Sequence, residues 1–181
     1  MLTEMGRPAL RTLVGIPDLI GCEIGVQRGI NALEMLEELD IRRLYLIDPY
    51  LAGNPGDSRI AGRLMTRSEV DTIHQEAGLR LFPYVNKLVW IERKSADIPT
   101  WMIPNYSLHY VYMDGDHSYA SVSHDLPVYY DRLQEDGLLA GHDFNHGGVR
   151  NAVIDFLTKI DRIDDLQTEE HDWWITRGKF E

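Results

Sequence analysis

Five groups of polar residues in this chain each follow directly on, or close behind, an apolar run. They are Glu23 to Gly29, Asp48, Ser95, Asp114 to His117, and His142-Asp143. The first is a glycine turn, Glu23-Ile24-Gly25-Val26-Gln27-Arg28-Gly29. Gly25 lets the backbone approach a ligand, and Gly29 lets a helix begin close to a sheet. A dinucleotide loop needs G-x-G-x-x-G, because the pyrophosphate rests on the helix N-terminus. Here the first glycine is absent and a carboxylate, Glu23, stands before the turn. A carboxylate there repels a pyrophosphate and suits a cation such as an ammonium or sulfonium. Taken alone, the loop reads equally well as a plain tight turn. Asp48 lies 23 residues beyond Gly25, at the end of a second apolar run. An acid at that place accepts hydrogen bonds from ribose hydroxyls. The plainer alternative is a strand-end acid capping a turn.

The elements that must position these groups can be read from hydrophobic period and breakers. Residues up to about Pro17 read as a short helix and a turn. Asp18 to Gly25 is a buried strand running into the glycine loop, with Cys22 as a small buried hydrophobe. Ala32, Met35, Leu36 and Leu39 recur at i, i+3, i+4 and i+7, one helical face. Arg43 to Asp48 is a strand, stopped by Pro49. Ala52 to Asp57 is a loop by composition. Thr66-Arg67-Ser68-Glu69 fits a capping box opening a helix to about Ala77-Gly78. Strands follow at Lys87 to Ile91 and Leu108 to Met113. A helix spans about Tyr119 to Gln134, with Pro127 expected to kink or split it. Leu138 to Ala140 is a short buried strand. Val149, Ala152, Val153, Phe156, Leu157 and Ile160 form the clearest helical stripe. The tail from Leu166 to Phe180 holds two strands, one at Trp173 to Thr176, and Trp173-Trp174 reads as core. Strands alternating with helices imply a parallel sheet covered on both faces, with ligands beyond the carboxyl ends of its strands.

Composition narrows the function classes. The chain of 181 residues suits one domain. No apolar window is long enough for a membrane span, and the N-terminus lacks the marks of a signal peptide. One cysteine excludes an internal disulfide. These features predict a cytoplasmic protein. With 18 basic and 29 acidic side chains the net charge is −11. Nucleic acid attracts basic patches, and no basic run of any length occurs, so a nucleic-acid substrate is not expected.

The ordered set of motifs resembles the class I S-adenosylmethionine-dependent methyltransferases. Glu23-x-Gly25-x-x-x-Gly29 and Leu46-Ile47-Asp48-Pro49 carry the first part of the likeness. Val111-Tyr112-Met113-Asp114-Gly115-Asp116-His117-Ser118-Tyr119 and Gly137-Leu138-Leu139-Ala140-Gly141-His142-Asp143-Phe144, with Gly148-Val149 after it, are more specific. They are similar to small bacterial O-methyltransferases related to macrocin O-methyltransferase and the cephalosporin-hydroxylase-like enzymes. The likeness spans about residues 18 to 177. It implies an α/β, Rossmann-like, doubly wound sheet of seven mostly parallel strands, helices on both faces, and an antiparallel last strand.

For the site, the resemblance implies that Glu23, Gly25, Val26, Gln27 and Gly29 wrap the amino-acid end of S-adenosylmethionine. Asp48 then holds the ribose, Ser95 and its neighbours border the adenine, and Asp114 lies under the methyl donor. Related metal-dependent enzymes place an acid after strand four and an acid pair after strand five. Here the second position is His142-Asp143. A metal on Asp114, His142 and Asp143 is one reading, either magnesium or manganese. Magnesium prefers oxygen ligands, and a histidine shifts preference towards manganese, iron, nickel or zinc. In the other reading His142 and Asp143 satisfy each other and their loop. His117 stands where catechol-type relatives carry a basic residue. Imidazole titrates near neutrality, so His117 suits the general base for an acceptor hydroxyl. It could equally hold the loop or bind a metal. The substrate is expected to be a hydroxylated small molecule such as a sugar, polyketide or catechol. Asn54 to Arg63, Tyr119 to His124 and Asn145 to Gly148 are its candidate loops. A homodimer is expected because a chain this short has little else with which to close a site. The rival readings are a nicotinamide-dependent oxidoreductase and a non-catalytic scaffold subunit of the same fold.

Overall fold

The computed structural model describes residues 6–52, 59–60 and 63–178. Seven strands form one sheet: β1 (Leu19–Ile24), β2 (Ile41–Ile47), β5 (Leu88–Ile91), β6 (Leu108–Met113), β7 (Leu133–Gly141), β8 (Gln167–Glu169) and β9 (Asp172–Thr176). Strands β3 (Arg59–Ile60) and β4 (Arg63–Leu64) make a separate antiparallel ribbon. The helices are α1 (Ile30–Glu38), α2 (Arg67–Leu81), α3 (Tyr119–Arg132) and α4 (Gly147–Lys159). Sheet order is β5-β2-β1-β6-β7-β9-β8. The first five of these strands are parallel, and β9 runs antiparallel to both β7 and β8. The order reverses between β1 and β6, so the carboxyl ends of those two strands flank the switch point where ligands bind. This is the doubly wound, Rossmann-like sheet with an antiparallel last strand that the motifs implied.

Alternation along the strands builds a core on each face. Tyr45 and Ile47 of β2 join Cys22, Val111, Leu139 and Trp173 under α3 and α4. Leu44 and Leu46 join Tyr110, Tyr112, Ala140 and Trp174 under α1 and the N-terminal 3-10 helix, Pro8–Leu13. The two adjacent tryptophans thus serve opposite faces, as period two requires. Trp173 is fully buried, and it fits because position 141 is glycine. A Cβ on Gly141 would lie 2.8 Å from the Trp173 ring and 2.6 Å from the Met113 carbonyl oxygen. Burying a large apolar side chain contributes about 1.5–3 kcal/mol.

Three local expectations change. The capping box on α2 is present, with Thr66 Oγ1 accepting from the Glu69 N–H at 3.3 Å and Glu69 Oε2 accepting from the Thr66 N–H at 2.8 Å. The helix nevertheless runs past Gly78 to Leu81, where Leu81 is fully buried. Pro127 does not split α3, which is one helix. The helix stops at Arg132 and not near Gln134, and β7 starts at Leu133, five residues before the expected strand. Leu133 pairs with Leu108, and the next pair is Leu138 with Tyr110. The intervening residues form an irregular bulge in which Asp136 takes a left-handed φ of 58°. Of the candidate substrate segments, residues 54–58 and 61–62 lie outside the described residues. Tyr119 to His124 is the start of α3 and not a loop. Asn145 to Gly148 is the turn into α4, with His146 as its N-cap.

Candidate functional site

A cavity of about 850 Å³ opens at the carboxyl ends of β1, β2 and β6. Glu23, Gly25, Val26, Gln27, Asp48, Ser95, Asp114 and His117 all border it. Gly29 does not. It adopts φ 70° as the residue before α1, and a Cβ there would meet Leu81 of α2 at 3.0 Å. Its role is therefore turn geometry and packing against α2.

Gly25 is required by close approach. Its φ is 90°, and a Cβ would lie 2.1 Å from the Asp114 carbonyl oxygen. That contact locks the β1 loop against the end of β6. Glu23, on the strand just before, is 1% exposed. Its Oε1 accepts a hydrogen bond from Asn31 Nδ2 at 2.8 Å. Its Oε2 is buried without a hydrogen-bond partner among the described residues. Burial pushes its pKa up to about 8, against the opposing Asn31 bond. A buried carboxylate oxygen without a donor is a costly arrangement. It is the arrangement that a bound ammonium would complete.

Asp48 caps both loops that follow the first two strands. Its Oδ2 accepts from the Gln27 N–H and its Oδ1 from the Tyr50 N–H, each at 2.9 Å. Gln27 and Tyr50 both adopt left-handed φ values, 48° and 44°. The Tyr50 hydroxyl donates to the Gln27 carbonyl at 2.8 Å, and the Tyr50 ring stacks on His74 at 4.1 Å. Burial raises the Asp48 pKa, with the backbone donors working against it. The turn-capping and the ribose readings are thus compatible. A carboxylate has about four acceptor sites, so one held by the backbone N–H groups of Gln27, Tyr50 and Val26 still has capacity for a ligand. At the far side, the Ser95 hydroxyl donates to Asp125, and the Tyr129 hydroxyl donates to the Ser95 carbonyl at 3.1 Å.

At the end of β6 the polar groups converge. His117 Nε2 lies 2.9 Å from Asp143 Oδ2 and 3.9 Å from Asp114 Oδ1. Asp114, His117 and Asp143 can each offer a ligand atom within 4.8 Å of the others. His142 stands outside that group, with Nδ1 3.3 Å from Asp143 Oδ1 and 4.0 Å from Asp114 Oδ1. The difference arises in the backbone. The His142 N–H continues the sheet by donating to the Met113 carbonyl, while Asp143 turns with φ 57° towards His117. The contact with Asp114, and then the charges of Asp143 and Asp116, raise the His117 pKa despite partial burial. Asp116 itself is occupied in starting α3, accepting from the Ser118 N–H at 2.9 Å and the Ser121 hydroxyl at 2.8 Å.

Arg7, Asn31 and Asp125 also border the cavity, and none of them stands out in the sequence. Asn31 and Asp125 lie inside helices, at positions no motif marks. Arg7 sits in a short N-terminal segment whose partners are far away in the chain. Its Nη2 donates to Asp114 Oδ2 at 3.0 Å, and its Nε donates to Asn31 Oδ1 at 3.3 Å.

The comparisons agree with this geometry. Residues 22–144 match the sequence family described as a methyltransferase domain. No curated protein matches the sequence as a relative. Among solved structures, the chain is similar to the O-methyltransferase NovP, with a TM-score of 0.64 and 20% identity over 90% of this chain and 72% of that one. It is similar to the calicheamicin methyltransferase CalS11, with a TM-score of 0.68 and 16% identity over 94% and 76% of the two chains. A putative methyltransferase from Streptococcus mutans, solved in complex with S-adenosylhomocysteine, has a TM-score of 0.65 and 10% identity over 97% and 99%. With the sheet order, the glycine turn at β1 and the acids ending β2 and β6, these findings show that the chain belongs to the methyltransferase domain family and has the fold of the S-adenosylmethionine-dependent methyltransferases.

Proposed function

We propose that this chain transfers a methyl group from S-adenosylmethionine to a hydroxyl of a small molecule, with His117 taking the hydroxyl proton. The observation that carries this reading is the buried, unpartnered Oε2 of Glu23 beside a glycine turn pressed onto Asp114. In this reading Glu23 holds the donor's ammonium, Asp48 its ribose hydroxyls, and the Ser95 segment borders its base. Asp114 lies nearest the sulfonium. The donor supplies an activated methyl group, so the chain's own work is to align an in-line displacement and remove one proton. In this reading His117 takes that proton. Its Nε2 faces the Asp143 carboxylate, which steadies the imidazolium once formed. The similarity to the O-methyltransferase NovP favours oxygen as the acceptor atom. A net charge of −11 speaks for a small molecule over a nucleic acid.

A second reading of the same residues rests on their convergence. A divalent ion on Asp114 and Asp143 would take a nitrogen from His117, or from the neighbouring His142. Two carboxylates and an imidazole fit manganese, iron or zinc better than magnesium. Such an ion would bind the acceptor hydroxyl and lower its pKa.

Methyl transfer from labelled S-adenosylmethionine to a panel of hydroxylated sugars, catechols and polyketides tests the reading. Turnover should rise with pH through the raised His117 pKa, because only neutral imidazole accepts a proton, and His117→Ala should lose that rise. Chelator-resistant turnover excludes the metal. Unchanged turnover in His117→Ala across pH 6 to 9 excludes the base. Tight NAD binding without S-adenosylhomocysteine binding would favour an oxidoreductase. Silence towards every acceptor, with a stable protein partner, would favour a scaffold.

A further inference from the structure

The N-terminal segment is built into the cavity wall. Ala9 and Leu10 of the Pro8–Leu13 helix are fully buried in the core on the α1 side of the sheet. The Ala9 N–H donates to Asp172 Oδ2 at 3.2 Å, and the other Asp172 oxygen accepts from the Tyr112 hydroxyl at 2.7 Å. Arg11 pairs with Glu169 at 2.9 Å. The helix is thereby pinned to β8 and β9. It carries the preceding residue, Arg7, across the sheet to the carboxyl ends of β1 and β6.

Arg7 is a cation set among carboxylates in the half of the cavity where Glu23 lies. Its guanidinium carbon sits 5.6 Å from the Tyr112 ring centroid. Its Nη2 bonds Asp114 and its Nε bonds Asn31 Oδ1, while the same Asn31 amide donates through Nδ2 to Glu23. Arg7, Asn31 and Glu23 thus form one hydrogen-bonded chain with a cation at one end and a buried carboxylate at the other. Nη1 of Arg7 makes no hydrogen bond among the described residues, so the planar fork keeps donors for a further oxygen. A guanidinium and a carboxyl group joined by one amide are complementary to a zwitterion whose ammonium and carboxylate share one carbon.

We infer that Arg7 binds the α-carboxylate of the methyl donor's amino-acid end, and that Arg7 with Glu23 reads that end as a zwitterion. This rests on the S-adenosylmethionine reading given above. It assigns to the N-terminal segment a part in selecting donors that retain a carboxylate. Arg7 is here a binding residue and takes no part in methyl transfer itself.

Calorimetry with three probes tests it on the full chain. S-Adenosylhomocysteine carries the whole zwitterion. Its decarboxylated analogue lacks only the carboxylate. 5′-Methylthioadenosine lacks both charges. The wild type should prefer S-adenosylhomocysteine over the decarboxylated analogue by at least tenfold. In Arg7→Gln that ratio should fall to within about twofold, with 5′-methylthioadenosine binding unchanged. Arg7→Lys should restore part of the ratio. If the wild type binds both analogues equally, or Arg7→Gln keeps the wild-type ratio, Arg7 does not read the carboxylate. If Arg7→Gln also loses 5′-methylthioadenosine, its effect is a general collapse of the cavity, and the assignment fails. If the wild type binds none of the three probes, the donor reading itself fails, a result separate from the others.

Discussion

If Glu23 holds the donor's ammonium as proposed, binding of the methyl donor depends on pH. In the free protein the Glu23 pKa is pushed up to about 8 by burial, and its Oε2 has no donor among the described residues. An ammonium brought against it favours the ionised form. Below pH 8 the ligand must therefore displace a proton from the carboxyl group. At a pKa of about 8, roughly 3% of Glu23 is ionised at pH 6.5 and roughly three quarters at pH 8.5, a difference worth about 2 kcal/mol. Affinity for S-adenosylhomocysteine should rise roughly twentyfold over that range. Calorimetry at pH 6.5 in two buffers of different ionisation enthalpy should show close to one proton released per ligand. Glu23→Gln should bind more weakly at pH 8.5 and lose both the pH dependence and the proton. The same group bears on stability with a defined sign. Its folded-state pKa is raised from 4.5, so the folded state holds a proton that the unfolded chain releases between about pH 4.5 and 8. The ligand-free protein should lose stability as pH rises through that window, by up to about 1.4 kcal/mol per unit from this one group. Glu23→Gln should flatten that slope. Affinity that is flat from pH 6.5 to 8.5, with no proton released, would refute the reasoning.

Gly25→Ala places a Cβ 2.1 Å from the Asp114 carbonyl oxygen at a φ of 90°. It should abolish S-adenosylhomocysteine binding and lower the melting temperature, and unchanged calorimetric affinity would contradict the close-approach argument. Asp48→Ala should weaken S-adenosylhomocysteine binding by about 1–3 kcal/mol through lost ribose hydrogen bonds. Binding of homocysteine, which has no ribose, should change far less if the loop stays in place. Trp173→Ala should cost about 3–5 kcal/mol in denaturant titration, because the ring is fully buried between β7 and the α3–α4 layer. A loss under 1 kcal/mol would mean that the site collapses around the cavity.

What the sequence made legible was what local pattern controls. The apolar runs that carry Glu23 and end before Asp48 and Asp114 are strands because continuous runs with β-branched or aromatic residues fit a sheet buried on both faces. These acids reach the cavity because parallel strands end on one edge. The capping box at Thr66 was legible because both of its hydrogen bonds close within four residues. The start of β7 was not. Gln134-Glu135-Asp136-Gly137 looks like a turn, yet it is held in the sheet by Leu133 pairing with Leu108 and by the Arg177 N–H donating to the Gly137 carbonyl at 2.7 Å. Both partners are distant in sequence. Arg7 was missed for the same reason, since its partner Asp114 is 107 residues away. Nor does spacing tell that His117 and His142 both stand within 4.0 Å of Asp114 and Asp143. That convergence depends on the end of β6 meeting the left-handed turn at Asp143.

The site gains its chemistry from charges the fold leaves unbalanced. Burial raises the pKa of Glu23, of Asp48 and of Asp125, so each carboxylate pays for its position in the ligand-free protein. Core packing alone would never select such residues at a strand end or inside α3, where a hydrophobe of similar size is tolerated better. They persist because their geometry is fixed by bonds that do not involve a ligand. Asp48 is held by two backbone N–H groups, Glu23 by Asn31, and the β1 loop by the Asp114 carbonyl against Gly25. A cationic donor bound as proposed would meet side chains already held in place, so its binding should need little reorganisation beyond loss of the Glu23 proton. Substitutions such as Glu23→Gln should therefore trade donor affinity for stability.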